Sequence, residues 1–560
     1  MPLLKYISGR YNGFPGQAGK VFALPLLILM IWLVATLAVP RPAAGQIGAP
    51  AALFKPLNEV NDGALGSTGY QEAIHSRPVQ VDLTLLGLAD GKGAQSGQPL
   101  MLNLFPEITY TAVPFLVDSS APGKLTWQGT IDGVSGGKAI IAVSGEAAAG
   151  TVQVDGRLFQ LGYIGNGRYL ITEAGPNEPM PEHQPVVLAE GNAGRPTLPS
   201  SDGVEKAEVY EIVNADDGSV IDVLVAYTPQ ARANRGGTAG INALIDLAIA
   251  ETNQAYQNSQ INTRLNLVLA AETNYSESGD IFVDLTRFQK KSDGYMDEVH
   301  GWRESVKADM VSLISFDKGF CGVAYLMTGL SHDFEDLAFS VVHVGCATGN
   351  YSFGHELGHN MGAAHDRANA SASLFDYSFG YQAPDRAFRT IMSYNCPSPG
   401  CPRIQYFSNP WVSFAGQPTG IDFGSNPANG ADNARSINNA RFTVANWRVS
   451  NPPLPDPPLA PDSLAVNPAS FHEINLSWHN HANNADGIAV ERQTDGGGWQ
   501  VIALIAANQN SYDDSGLPGD SSHDYRVRAY NLGGTSAYSN IASATTFPAP
   551  FTFFVPLLNR

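Results

Sequence analysis

"FGHELGHNMGAAHD", residues 353–366, gathers three histidines and a glutamate into one short stretch of a 560-residue chain that has only twelve histidines. On a helix over 353–361, His355 and His359 stand four apart and share one face. Glu356 follows His355 about 100° round the axis. Leu357 and Met361 fall on the opposite side, where a core can take them. Two imidazoles one turn apart can hold one zinc ion, and a carboxylate beside them can act as a base toward water activated by that ion. Gly362 can adopt the positive φ that ends a helix and turns the chain. That turn allows His365 to return as a third ligand. Three protein ligands leave one coordination position open, as a catalytic zinc requires, whereas a structural site is closed by a fourth. Histidines falling by chance on a solvated helix face are the competing explanation. Chance produces a bare HExxH far more readily than the extended HExxHxxGxxHD. A zinc site that no longer catalyses is a further alternative, and the presence of Glu356 speaks against it.

This run resembles the zinc signature of the metzincin metalloproteases, and Asp366 directly after the third histidine resembles the adamalysin (reprolysin) branch. Metzincins also carry a methionine turn beneath the metal, and "RTIMSYNC", residues 389–396, is similar to it. The resemblance implies that Met392 forms a thioether floor under the imidazoles without bonding the ion. Tyr394 departs from adamalysins and is closer to astacins and serralysins, in which a tyrosine at that position approaches the metal and stabilises the transition state. A packed core phenol is the alternative for Tyr394. The resemblance covers roughly residues 218–449 and implies a zinc-dependent endopeptidase acting on protein or peptide substrates. One catalytic Zn2+ is expected; a Ca2+ ion is compatible with this reading, but no residues are assigned to it.

The rest of the chain fits that expectation. At 560 residues it is too long for one core. Charged residues make up 15% and the net charge is −19, which argues against nucleic acid as a partner, since phosphate binding needs basic patches. Lys5, Arg10 and Lys20 precede an apolar run from Val21 to Val39, followed by the small residues of "RPAAGQ". Residues 1–45 therefore read as a cleaved signal peptide, with a retained membrane anchor as the alternative, and the bulk of the chain as exported. The four cysteines, Cys321, Cys346, Cys396 and Cys401, suit that compartment. Of three possible pairings we expect Cys321–Cys346, ahead of the histidine helix, and Cys396–Cys401, closing "CPSPGC".

The expected architecture is multidomain. Residues 46–172 alternate short apolar stretches ("KAIIAVSG", "GTVQVDGRLFQLGYI") with turn signals ("DGR", "GNG"), which predicts a β-rich domain. By position it resembles a pro-domain. It has no cysteine, so it cannot silence the zinc through a thiolate, as the pro-segment of matrix metalloproteases does. Residues 173–217 read as a linker with activation cleavage, Arg195 and Lys206 being processing points. Within it, "NEPMPEH", residues 177–183, reads as an exposed loop, His183 and its acids being the alternative source of a latency ligand. Residues 218–449 alternate strands and helices, which predicts an α/β domain with a mixed, largely parallel sheet and the histidine helix. "SVIDVLVAYTPQA" reads as a buried strand and "GINALIDLAIAETNQAYQNSQ" as an amphipathic helix with apolar residues at 241, 244, 245 and 248. "GVAYLM" is expected at the sheet edge, where it would pair with an extended peptide. "PRIQYFSNPWVSFAGQPTG" should line the pocket beyond the cut, and His332 and His343 read as structural.

Residues 450–460 are a stiff proline-rich linker. Residues 461–546 resemble a fibronectin type III domain, an all-β sandwich, with Trp478 as the core tryptophan and His523 where the family usually has its corner tyrosine. A spacer, or a contact with substrate, surface or matrix, is the role expected there. Residues 547–560 form an apolar tail. The rival to an enzyme is an adhesive protein whose protease fold only recognises a partner.

Overall fold

The computed structural model describes residues 50–57, 73–87, 98–118, 123–175, 180–187, 216–317, 319–398, 400–450, 457–494, 499–531 and 534–548. The signal segment, Arg195 and Lys206, most of the proline-rich linker and the end of the tail lie outside these residues. Among the described residues no helix is long and apolar enough to cross a membrane.

Strands between Ala51 and Glu173 form one ten-stranded sheet. Its first and last members, Ala51–Ala52 and Phe54–Pro56, are neighbours in sequence, so the sheet closes on itself. Leu53 is the hinge of the closure. Its N–H donates to the Met101 carbonyl and its own carbonyl accepts from Asp82 N–H, while its side chain is fully buried. Closure of this kind covers the strand edges that an open sheet would leave unpaired. The turn signals act as predicted: Asp155–Gly156 and Asn166–Gly167 both have positive φ at two successive residues, which matches the twist of tight hairpins.

A second sheet of five strands runs in the order Arg264–Glu272, Val220–Tyr227, Met310–Ser315, Phe339–His343, Gly322–Ala324. The first four are parallel and the last is antiparallel, as the alternation of strands and helices predicts. Every residue of Val220–Tyr227 is buried, as expected for a strand covered on both faces. Between Arg264–Glu272 and Met310–Ser315 the chain forms the helices Ile281–Gln289 and Asp297–Val306. The Asn433–Ala445 helix closes this unit.

The long helix Thr238–Asn258 departs from the amphipathic expectation. Ile241, Leu244, Ile245 and Ala248 enter the core of the five-stranded unit, but Ala243, Leu247 and Ala250 enter the barrel core. The second stripe has helical spacing too, so one helix serves two cores. Glu251 is buried at this junction, accepting from Thr151 Oγ1 at 2.6 Å and from Gly349 N–H at 2.9 Å.

Strands from Asp462 to Thr545 form a three-stranded and a five-stranded sheet. Leu464, Ile474, Leu476 and Trp478 on the first meet Ile488, Val490, Tyr525 and Val527 on the second in one core. His523 is buried between Thr494 and Ser521, with its ring nitrogens 3.0 and 2.7 Å from their hydroxyls.

Burial raises the Glu251 carboxyl to about 7, against about 4.3 for a glutamate in an unfolded chain. The folded state holds this proton more tightly. The stability it contributes is complete below about pH 4.5 and is lost as pH rises through about 7. Glu251→Gln cannot ionise, so its melting temperature relative to the parent should rise by a few degrees between about pH 5 and 8. Two melting curves that stay parallel across that range would contradict the assignment.

Candidate metal centre and active site

The Ser352–Asn360 helix is buried along its whole length. Gly362 ends its turn with φ +80, and a Cβ there would lie 2.2 Å from Leu374 Cδ2, so a side chain is excluded by both backbone and space. The chain then returns as the short strand Ala364–Asp366, carrying His365 back to the helix. At Gly358 a Cβ would sit 2.9 Å from Met392 Sδ, so the bare backbone lets the methionine lie against the helix. Met392 is fully buried.

The three Nε2 atoms of His355, His359 and His365 lie 3.1 Å from one another. His355 Nδ1 is 2.9 Å from the Ile391 carbonyl, and His359 Nδ1 is 2.8 Å from the Ala363 carbonyl. A carbonyl only accepts, so those Nδ1 atoms carry the ring protons and their Nε2 atoms are bare acceptors. Acceptors facing one another at this distance repel unless a cation stands between them. Tetrahedral metal–nitrogen bonds of about 2.0–2.1 Å place ligands about 3.3 Å apart, so the donor set fits a metal ion. Burial, then the charge of the neighbouring histidines, holds His355 and His365 well below the usual imidazole range, and burial brings His359 to about 4. Neutral imidazole is the ligating form.

Glu356 is fully buried beside them, and among the described residues neither of its oxygens has a hydrogen-bond partner. Burial first, and the neighbouring Glu182 charge second, push its carboxyl well above the ordinary range, while Arg403 opposes them. The carboxylate lies against the sheet edge: a Cβ on Gly322 would be 2.5 Å from Glu356 Oε1. Sequence reading passed over Gly322, because a lone glycine at a strand start carries no signal without the neighbour it admits.

Asp366 shows why an acid follows the third histidine. Its carboxylate accepts from Tyr394 N–H at 3.1 Å and from Asn369 Nδ2 at 2.8 Å, tying the His365 strand to the methionine turn. The half-buried Tyr394 ring lies 4.2 Å from the His365 ring, centroid to centroid. Burial, followed by Glu182 and Glu356, raises its phenol. Both expected disulfides are formed: Cys321–Cys346 joins the sheet edge to the loop before the histidine helix, and Cys396–Cys401 closes the loop after the methionine turn. His343 is buried, its Nδ1 accepting from Gly345 N–H, and His332 packs against the Asn446 carbonyl, so neither joins the site.

The exposed-loop reading of "NEPMPEH" is overturned at its end. Glu182 is only 6% exposed and lies in the cleft, because a hydrogen-bonding set centred on Arg403 takes up its carboxylate. Glu182 is one of the acids the sequence offers as the alternative latency ligand, and Arg403 belongs to the stretch expected to line the substrate pocket. Neither is singled out by its own stretch, and only the fold brings them together.

The sequence profile of the reprolysin-like metallopeptidases of family M12B matches residues 218–421. A peptidyl-Asp metalloendopeptidase of Xanthomonas campestris pv. campestris is 34% identical over 392 residues, spanning 67% of this chain and 88% of that protein. One from Stenotrophomonas maltophilia is 38% identical over 319 residues, 56% of this chain and 71% of its own length. One from Pseudomonas aeruginosa is 28% identical over 260 residues, 42% and 41% of the two chains.

The contact between Gly322 and Glu356 can be tested directly. Gly322→Ala should leave metal content and melting temperature near those of the parent but displace the carboxylate, lowering kcat on a peptide substrate by about 10–100-fold. Activity within about threefold of the parent would show that the contact does not position Glu356.

Proposed function

The chain belongs to the reprolysin-like M12B metallopeptidases and is a metalloendopeptidase; on that premise we propose that it is an exported zinc enzyme that prefers bonds beside acidic side chains. The observation that carries the mechanistic reading is the convergence of three neutral Nε2 atoms beside an unpartnered buried carboxylate. His355, His359 and His365 would hold the zinc ion. Zinc at such a site supplies a Lewis acid for the scissile carbonyl and makes water acidic enough to attack near neutral pH. Glu356 takes a proton on its carboxylate from the attacking water and delivers one to the leaving amine. Main-chain groups of the Gly322–Ala324 strand pair with the extended substrate. Tyr394 donates a hydrogen bond from its phenolic hydroxyl to the oxyanion as it forms. The acidic preference is taken from the relatives, which are named peptidyl-Asp metalloendopeptidases.

The remaining units complete the proposal. Residues 1–45 act as the export signal. The barrel serves as a pro-domain removed by cleavage in the 173–217 linker. The C-terminal sandwich is read as fibronectin type III-like, on its two sheets and buried Trp478, and serves as a surface or matrix contact. The adhesive alternative is not favoured, since the relatives are endopeptidases and Glu356 stands beside all three histidines.

Glu356→Ala should retain one zinc per chain by elemental analysis yet lose at least about 100-fold in casein or peptide hydrolysis. The parent should be inhibited by 1,10-phenanthroline and restored by added zinc. Activity of Glu356→Ala within about tenfold of the parent would remove the general-base role.

Tyr394→Phe separates catalysis from packing. If the hydroxyl bonds only the transition state, kcat falls by about 10–100-fold with KM nearly unchanged and zinc retained. A change under about threefold would assign the ring to packing on His365.

A further inference from the structure

Residues 181–186 lie along the free side of the sheet edge. Cys321 N–H donates to the Pro181 carbonyl at 2.9 Å, Val186 N–H to the Ala324 carbonyl at 2.8 Å, and Leu326 N–H to the Val186 carbonyl at 3.0 Å. Val186 pairs with Tyr325 in parallel. The segment therefore occupies the position expected of an extended substrate, and it carries Glu182 into the cleft. Glu182 Oε1 accepts from Arg403 Nη1 at 2.7 Å, Ser352 Oγ at 2.6 Å and Asn350 Nδ2 at 3.3 Å. Both side chains of the ion pair are buried, with 4% of Arg403 and 2% of Glu182 exposed. Glu182, His355 and Glu356 each place a ligand-type atom within 4.8 Å of the others, so this pocket adjoins the reacting centre.

Arg403 is the reason to look further. Its Nη1 also donates to the Asn350 carbonyl at 2.8 Å, while Nε and Nη2 have no hydrogen-bond partner among the described residues. Its one salt bridge there is to Glu182, which lies outside the 218–421 region matched by the protease family. Without that segment the buried guanidinium and the two neutral donors would lose the carboxylate they share, leaving Glu356 as the neighbouring anion. Removing one partner of a buried ion pair is strongly disfavoured. A site of this kind takes up another carboxylate and discriminates against side chains that lack one.

The geometry points to Arg403, with Asn350 and Ser352, as the subsite that reads the acidic side chain of the substrate, and to Glu182 as its occupant in cis. The substrate class is thus a peptide with an aspartate or glutamate carboxylate beside the scissile bond, and the 181–186 segment is a built-in substrate analogue. This rests on the endopeptidase reading above, and it assigns the acid preference to particular atoms.

The test has two arms. In the first, protein produced from the full chain is assayed on matched quenched peptides with Asp, Glu, Asn or Leu at the position beside the cut. The parent should favour Asp and Glu. Arg403→Gln should lower the ratio of kcat/KM for Asp over Asn by about 30-fold or more, with Arg403→Lys between the two. An unchanged ratio overturns the subsite. A parent that cuts every peptide equally also overturns it while leaving the endopeptidase reading intact, whereas a parent that still cuts none after cleavage between the 181–186 segment and the protease unit defeats that reading instead. In the second arm, Glu182→Gln is compared with its parent in the Glu356→Gln background, which keeps the chain whole. Amide hydrogen exchange at Cys321, Val186 and Leu326 should be at least about tenfold faster in the Glu182→Gln protein, because a neutral amide loses the charge-assisted pairing with the guanidinium. Equal exchange overturns the occupant, and this readout stands even if the Arg403 variants fail to fold.

Discussion

Two hydrogen bonds from imidazole Nδ1 atoms to backbone carbonyls set the chemistry of the centre. Ile391 and Ala363 each fix one ring proton on the far side of a histidine, and so aim the opposite lone pair inward. The rest of the unit serves to bring those carbonyls into place. Ile391 belongs to the methionine turn, which is held to the His365 strand by the Asp366 carboxylate. Ala363 follows the glycine that ends the helix. The signature's spacing is thus a statement about carbonyl positions as much as about histidines, which is why it extends past the helix to Gly362, His365 and Asp366.

Residues that meet locally were legible in the sequence. The histidine helix, its glycine stop, the returning third imidazole and the hairpin turns of the barrel all follow from spacing within one element or one turn. The parallel order of the central sheet followed from the alternation of strands and helices. Contacts made across long sequence separations were not legible. Gly322 matters because Glu356 lies against it, and nothing near residue 322 announces that. Arg403 and Glu182 are separated by most of the protease unit, and each taken alone reads as part of a loop. The Thr238–Asn258 helix carried a readable second stripe at 243, 247 and 250, but a stripe of alanine and leucine is persuasive only once a second core is known to exist.

That shared helix also constrains how the molecule comes apart. Removing the barrel would expose Ala243, Leu247 and Ala250, a narrow and small-residue face, while the larger residues remain in the other core. The asymmetry is compatible with the maturation proposed above, in which the barrel is removed. The carboxylate of Glu251 would regain water at the same time, which removes the cost of its burial.

The closed barrel and the covered sheet edge share a consequence for solubility. An open strand edge is a template for any extended chain, including another copy of the same protein. The barrel avoids that hazard by joining its ends through Leu53. The five-stranded sheet does not, since on the proposed function its Gly322–Ala324 edge pairs with substrate. Residues 181–186 precede that edge in the chain and so emerge first during synthesis. With that segment hydrogen-bonded along it, the edge is not offered to a second copy.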